Sequence, residues 1–195
     1  MVLRRVCVFC GSSPGRDPAY ADAARAMGRV LAARGITLVY GGGRVGMMGA
    51  IAQAALDAGG NVIGVIPQGL KRKELASEDL TELHVVATMH ERKQMMADLA
   101  DAFVALPGGF GTFEEFCEIL TWAQLGLHGK PCGLLDVKGY YSGLLQLFDH
   151  AVREGFLKPE FRAFVLTHSD PSHLLAAMEG YRAPTVPRWL TPEAT

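Results

Sequence analysis

The sequence predicts an α/β protein: a doubly wound, mostly parallel sheet with helices on both faces, in a single domain. Three observations carry this. Apolar runs of strand length alternate with segments of helical period along the whole chain. Runs such as Val62–Ile66 and Ala102–Leu106 are apolar throughout, as strands covered on both faces are. The length of 195 residues suits one domain with one sizeable core.

The elements follow in order. Arg4–Cys10 reads as the first strand, ended by the turn Gly11-Ser12-Ser13-Pro14. Pro18–Arg34 reads as a helix, with Asp17 at its N-cap and Gly35 as its stop. Ile36–Tyr40 is a strand running into Gly41-Gly42-Gly43, and Val45–Ala58 a helix closed by Gly59-Gly60. Val62–Ile66 is a strand stopped by Pro67, and the charged stretch Gln68–Thr81 a surface loop or short helix. Leu83–Ala87 (strand), Met89–Ala100 (helix), Ala102–Leu106 (strand) and Phe113–Leu125 (helix) repeat the rhythm. Gly133–Val137, Tyr141–Glu154, Ala163–Thr167 and Ser172–Glu179 close it. No repeat or linker interrupts this run, so residues 1–180 are read as one domain and 181–195, which hold Pro184, Pro187 and Pro192, as a tail.

Composition narrows the function classes. The formal net charge is -1, without the basic surplus that nucleic-acid binding usually needs. No apolar run reaches the roughly 20 residues of a membrane helix. The opening Met1–Cys10 is too short in its apolar part for a signal peptide, and a cytoplasmic protein is expected. Cys7 and Cys10 form a C-x-x-C inside a strand, where residues three apart point to opposite faces. With no second such pair, Cys7, Cys10, Cys117 and Cys132 are expected to be core thiols. His84, His90 and His128 lack metal-ligand spacing, so neither a metal nor a cofactor is expected.

Ligands of a parallel sheet bind outside the carboxyl ends of its strands, so the segments just after strands are decisive. Gly41–Gly46 contains G-x-G-x-x-G at a strand-to-helix turn, where backbone N–H groups and the helix N-terminus favour a phosphate. A dinucleotide fingerprint would follow the first strand and carry an acid near the end of the next; here the loop follows the second strand and the next ends Val65-Ile66-Pro67. No Gly-Lys-Ser/Thr closes either glycine run, so a Walker loop is absent. Pro107–Glu115 forms a second glycine loop, and together the two indicate a phosphate crevice.

Arg92 shares a helix face with Met89, Met96 and Leu99, a stripe expected to face the sheet, which would aim the guanidinium at the strand ends. There it could hold a phosphate or carboxylate bidentately, or it could snorkel at the domain rim. Glu115 has two competing readings. Thr112-Phe113-Glu114-Glu115 fits a capping box, as Thr88 with Glu91 does; alternatively Glu115 acts on a sugar or a water beside the loop.

These motifs together resemble the LONELY GUY family, the cytokinin riboside 5′-monophosphate phosphoribohydrolases, whose members often carry the older label "lysine decarboxylase-like". The signature P-G-G-x-G-T-x-x-E is present as Pro107–Glu115 and M-H-x-R-K as Met89–Lys93. Gly41–Gly49 and Cys10–Ser13 are similar to the family as well, and the likeness runs from about Arg4 to Gly180. The resemblance implies a Rossmann-like fold, a homodimer with its site near the interface, and release of an adenine-type base and ribose 5-phosphate from a nucleoside 5′-monophosphate. It implies Arg92 and Glu115 as the catalytic pair. Positions matching nucleotide contacts are Glu74, Arg92, Lys93, Gly108, Gly109, Phe110, Gly111, Thr112, Phe113, Glu114 and Thr121; Ser12, Ser13, Gly42 and Gly43 look like further ligand-site positions. Lys93 and the glycine loops would grip the phosphate. Arg92 would orient the phosphate or Glu115, and is expected to lower the glutamate's pKa and keep it ionised. The rivals are a non-catalytic nucleotide binder, a pyridoxal-phosphate decarboxylase with Lys93 as its lysine, and a hydrolase of plain AMP.

Overall fold

The computed structural model describes residues 1–71 and 79–184. Seven strands form one all-parallel sheet in the order β4-β3-β2-β1-β5-β6-β7. They are β1 (Arg5–Phe9), β2 (Thr37–Tyr40), β3 (Val62–Pro67), β4 (Glu82–Val86), β5 (Ala102–Ala105), β6 (Cys132–Leu135) and β7 (Val165–His168). The helices are α1 (Pro18–Ala33), α2 (Gly46–Asp57), α3 (Gln68–Lys71), α4 (Met89–Leu99), α5 (Phe110–Gln124), α6 (Ser142–Arg153), α7 (Pro159–Arg162) and α8 (Pro171–Gly180). The expected fold class is therefore observed.

The side-chain period of two in β1 divides the core. Val6, Val8 and Cys10 pack with α1, α2 and α8 on one face. Cys7 and Phe9 pack with α4 and α5 on the other. The two cysteines of the C-x-x-C thus belong to different cores, and burial raises both thiols, the opposite of what a reactive thiolate requires.

Chain direction places the site. From β1 the chain steps outward through β2 and β3 to β4, then returns across the sheet to β5 on the other side of β1. The loops after β1 and β5 therefore leave in opposite directions and open a crevice between them, the position at which doubly wound sheets hold ligands.

Two helices differ from the sequence reading. The α5 helix begins at Phe110, inside the glycine motif, with Gly109 as an extended N-cap. Glycine's low helix propensity hides this start from sequence, and packing overrides it. Thr112 is therefore a buried first-turn residue rather than an N-cap, and the Thr112–Glu115 capping box does not form. The short α7 stands between the expected helix Tyr141–Glu154 and the expected strand Ala163–Thr167, where no element is expected. The Thr88 cap does form: its hydroxyl accepts from Glu91 N–H, while the Glu91 carboxylate accepts from Ala87 N–H rather than from Thr88 itself.

Candidate active site

The crevice encloses about 330 Å³, near the lower end of small-molecule sites. Gly11–Gly15 after β1 and Pro107–Gly109 after β5 form its walls, with Tyr20, Met47 and Tyr140 beside them. The walls are pinned to each other: Gly11 N–H donates to the Pro107 carbonyl at 3.1 Å, and Met47 N–H donates to the Gly11 carbonyl at 3.1 Å. Only glycine permits this approach at Gly108, where a Cβ would strike Thr112 Oγ1 and the Gly11 backbone. The α5 N-terminus meets this wall, and no side chain caps Gly109. Its first-turn N–H groups and the positive end of the helix dipole thus form a place for an anion.

Below the loops lies an ion pair. Arg92, in the first turn of α4, and Glu115, in the second turn of α5, are 8% and 9% exposed. Arg92 Nη1 donates to Glu115 Oε1 at 3.1 Å, Nε to the Val65 carbonyl at 3.1 Å and Nη2 to the Gly41 carbonyl at 3.2 Å. The guanidinium thus ties β3, the Gly41 turn and α5 together, and a Cβ on Gly41 would collide with Nη2. Among the described residues, Glu115 Oε1 is bound to Arg92 and no hydrogen bond reaches Oε2.

The electrostatics correct one expectation. Desolvation raises the Glu115 carboxyl to about 7, outweighing the lowering by Arg92. A single hydrogen bond at one oxygen does not replace the water lost from a carboxylate so enclosed.

Other expected residues fall into groups. Ser12 and Ser13 line the crevice beside Gly108 and Gly109. Gly42 and Gly43 are buried in the turn after β2, with Gly42 in the left-handed region at φ 77 against Ile66. Phe110 and Gly111 are exposed, whereas Phe113 packs against the α5-side core. Met89 is exposed rather than part of a sheet-facing stripe with Met96.

Lys93 does not line the crevice directly and reaches the glycine motif through Glu114. Its Nζ donates to Glu114 Oε1 at 2.6 Å and Glu118 Oε1 at 2.9 Å, along a groove between α4 and α5. Burial alone would lower its pKa, but the two glutamates more than offset this and hold it above the usual value. An imine-forming lysine must shed its proton, so Lys93 does not fit pyridoxal phosphate. Thr121 likewise does not line the crevice; its hydroxyl donates to the Cys117 carbonyl at 2.8 Å, beside an apolar groove with Phe148 and Phe156. Glu74 lies outside the described residues.

Among the described residues no cluster of His, Cys, Asp and Glu could hold a metal, and no helix is long and apolar enough to cross a membrane. His128 is structural: Nδ1 accepts from Lys130 N–H, Nε2 faces the Ile119 carbonyl, and desolvation lowers its pKa to about 4. Tyr20 and Tyr140 are not among the expected site residues, and Met47, which reads as core filler, is buried but also borders the crevice. Tyr140 follows a strand end, which is a usable signal, but Tyr20 and Met47 reach the crevice from helices.

A family model described as "Possible lysine decarboxylase" matches residues 48–178. A cytokinin riboside 5′-monophosphate phosphoribohydrolase of Arabidopsis thaliana is 51% identical over 179 residues, covering 92% of this chain and 83% of its own. The chain belongs to this family. A relative in Oryza sativa subsp. japonica, named a probable phosphoribohydrolase of the same kind, is 52% identical over 182 residues, 93% of this chain and 74% of its own. Beyond the family the fold alone is shared. The molybdenum cofactor binding protein from Rippkaea orientalis superposes with a TM-score of 0.69 at 22% identity, covering 92% of this chain and 98% of its own. The molybdenum cofactor carrier protein of Chlamydomonas reinhardtii gives 0.68 at 22% identity, covering 91% and 96%.

Proposed function

We propose that this chain hydrolyses the N-glycosidic bond of nucleoside 5′-monophosphates with an N6-modified adenine base, and of AMP, releasing the free base and ribose 5-phosphate. The observation that carries this is the buried Arg92–Glu115 pair at the carboxyl edge of the sheet, beneath two glycine loops, in a chain 51% identical to a named phosphoribohydrolase. Breaking the bond between the base and C1′ leaves a ribosyl centre with oxocarbenium character. Ionised Glu115 would stabilise that charge and take a proton from the attacking water, whose oxygen then bonds to C1′. The departing base takes up a proton equivalent to the one that Glu115 accepts and then returns, so that water is divided between C1′, which gains OH, and the base, which gains H. Arg92 engages Glu115 Oε1, which leaves Oε2 for this chemistry. The α5 N-terminus and Ser12, Ser13, Gly108, Gly109, Gly111 and Thr112 would surround the 5′-phosphate. Lys93, Glu114, Gly42 and Gly43 would support the site from behind.

The reading extends to a homodimer. Val45, Met89 and Phe110, which is 91% exposed, are large apolar side chains left uncovered at the same carboxyl edge. A second copy packed there would cover them and close the crevice from outside; sedimentation as a monomer would refute this. Four free cysteines suit the reducing cytoplasm.

The test is chromatography of products from AMP, isopentenyl-AMP, the matching nucleosides and lysine. Free base and ribose 5-phosphate from the monophosphates alone is the expected result. AMP binding without any product would leave only a nucleotide-binding protein and return Glu115 to a structural role.

A further inference from the structure

The segment Leu106–Gly108 at the head of the crevice is held by an arrangement that the reaction as described does not use. Three successive carbonyls are each engaged. Leu106 accepts from Tyr141 Oη at 2.6 Å, Pro107 from Gly11 N–H at 3.1 Å, and Gly108 from Tyr140 Oη at 2.5 Å. Two adjacent tyrosines thus clasp the carbonyls on either side of Pro107.

A sharp turn makes this possible. Among the described residues Lys138 is the one non-glycine residue in the left-handed region, at φ 55, and Gly139 follows at φ 72. Strain of this kind concentrates where a backbone path serves a site. The turn ends with the two tyrosines diverging. Tyr141 is 1% exposed and belongs to the α5-side core, whereas Tyr140 is 38% exposed and lines the crevice. Lys138 Nζ also pairs with Asp17, the N-cap of α1, which anchors the turn to the opposite wall.

The Gly108–Gly109 peptide joins two glycines and has little intrinsic resistance to flipping. The Gly108 carbonyl and the Gly109 N–H belong to one planar trans unit and point in opposite directions. Whatever fixes the first therefore fixes the second. A flipped peptide would exchange a donor for a carbonyl oxygen at the α5 N-terminus and repel an anion.

We propose that Tyr140 is a positioning residue, whose hydroxyl holds the Gly108–Gly109 peptide in the orientation that receives the substrate's 5′-phosphate. This rests on reading the crevice as a phosphate site. Tyr140→Phe keeps the ring against Tyr20 and Phe113 and removes only the hydroxyl. Titration calorimetry of both proteins with inorganic phosphate and with AMP is expected to show both ligands weakened by about tenfold in the variant, the worth of one locked hydrogen bond. KM for AMP should rise in parallel, with kcat nearly unchanged and an unaltered thermal midpoint. A merely structural hydroxyl would move the midpoint and leave the affinities alone. Equal affinities in the two proteins would overturn the assignment of Tyr140 while leaving the hydrolase reading intact. Failure of the parent protein to bind either phosphate or AMP would overturn both.

Discussion

Glu115→Gln tests the buried pair through stability rather than turnover. Glutamine keeps the shape of the side chain and an acceptor oxygen for Arg92 Nη1, and removes only the ability to ionise. The Glu115 carboxyl moves from the usual 4.5 to about 7 on folding, chiefly because burial strips its water. At about 1.36 kcal/mol per pKa unit, that rise corresponds to roughly 3 kcal/mol. A pKa raised in the folded state means that the folded chain keeps a proton which the unfolded chain releases. The contribution is therefore fully present below pH 4.5, is lost as pH rises toward about 7, and is flat above that. Urea unfolding of parent and variant, followed by circular dichroism from pH 4 to pH 8, should show the parent losing about 3 kcal/mol relative to Glu115→Gln across this window, while the variant lacks hydrolytic activity throughout. Parallel stability curves would refute the reasoning, because Glu115 would then titrate as an ordinary carboxylate, with Arg92 fully offsetting desolvation.

Three further outcomes follow from the same geometry. Because ionised Glu115 is the competent form, kcat/KM for AMP should climb about tenfold per pH unit below about 7 and level off above it; Arg92→Ala, which removes the lowering influence, should shift any residual acid limb upward, and an unmoved limb would assign that titration to another group. Gly41→Ala places a Cβ against Arg92 Nη2, so it should cost about 1–3 kcal/mol of stability and most of the turnover; an active, equally stable variant would show that the guanidinium is free to move.

The fold was largely legible because its signals are local. Continuous apolar strands, helical periods and glycine stops are written within ten or fifteen residues, and each expected strand is found within a few residues of its reading. The start of α5 was missed because its first turn is made of Phe110, Gly111 and Thr112, where propensity argues against a helix and packing prevails. The site was legible in part. Glycines after strand ends, and an arginine in the first turn after β4, indicated where chemistry would gather.

Local patterns along the chain suffice for the layered α/β class, the crevice at the strand ends, and the residues from which an anion site could be built. The pairings exist only once the sheet is assembled. Arg92 and Glu115 stand 23 residues apart and meet because β4 and β5 lie on opposite sides of β1, which brings α4 and α5 side by side on one face. Lys93, one residue from Arg92, turns instead to Glu114 and Glu118, since successive helical side chains project about 100° apart. The direction of the Glu115 shift was likewise beyond the sequence. A neighbouring charge can be guessed from a motif, whereas desolvation sums over every atom that excludes water, and those atoms come from β3, the Gly41 turn, α4 and α5 together.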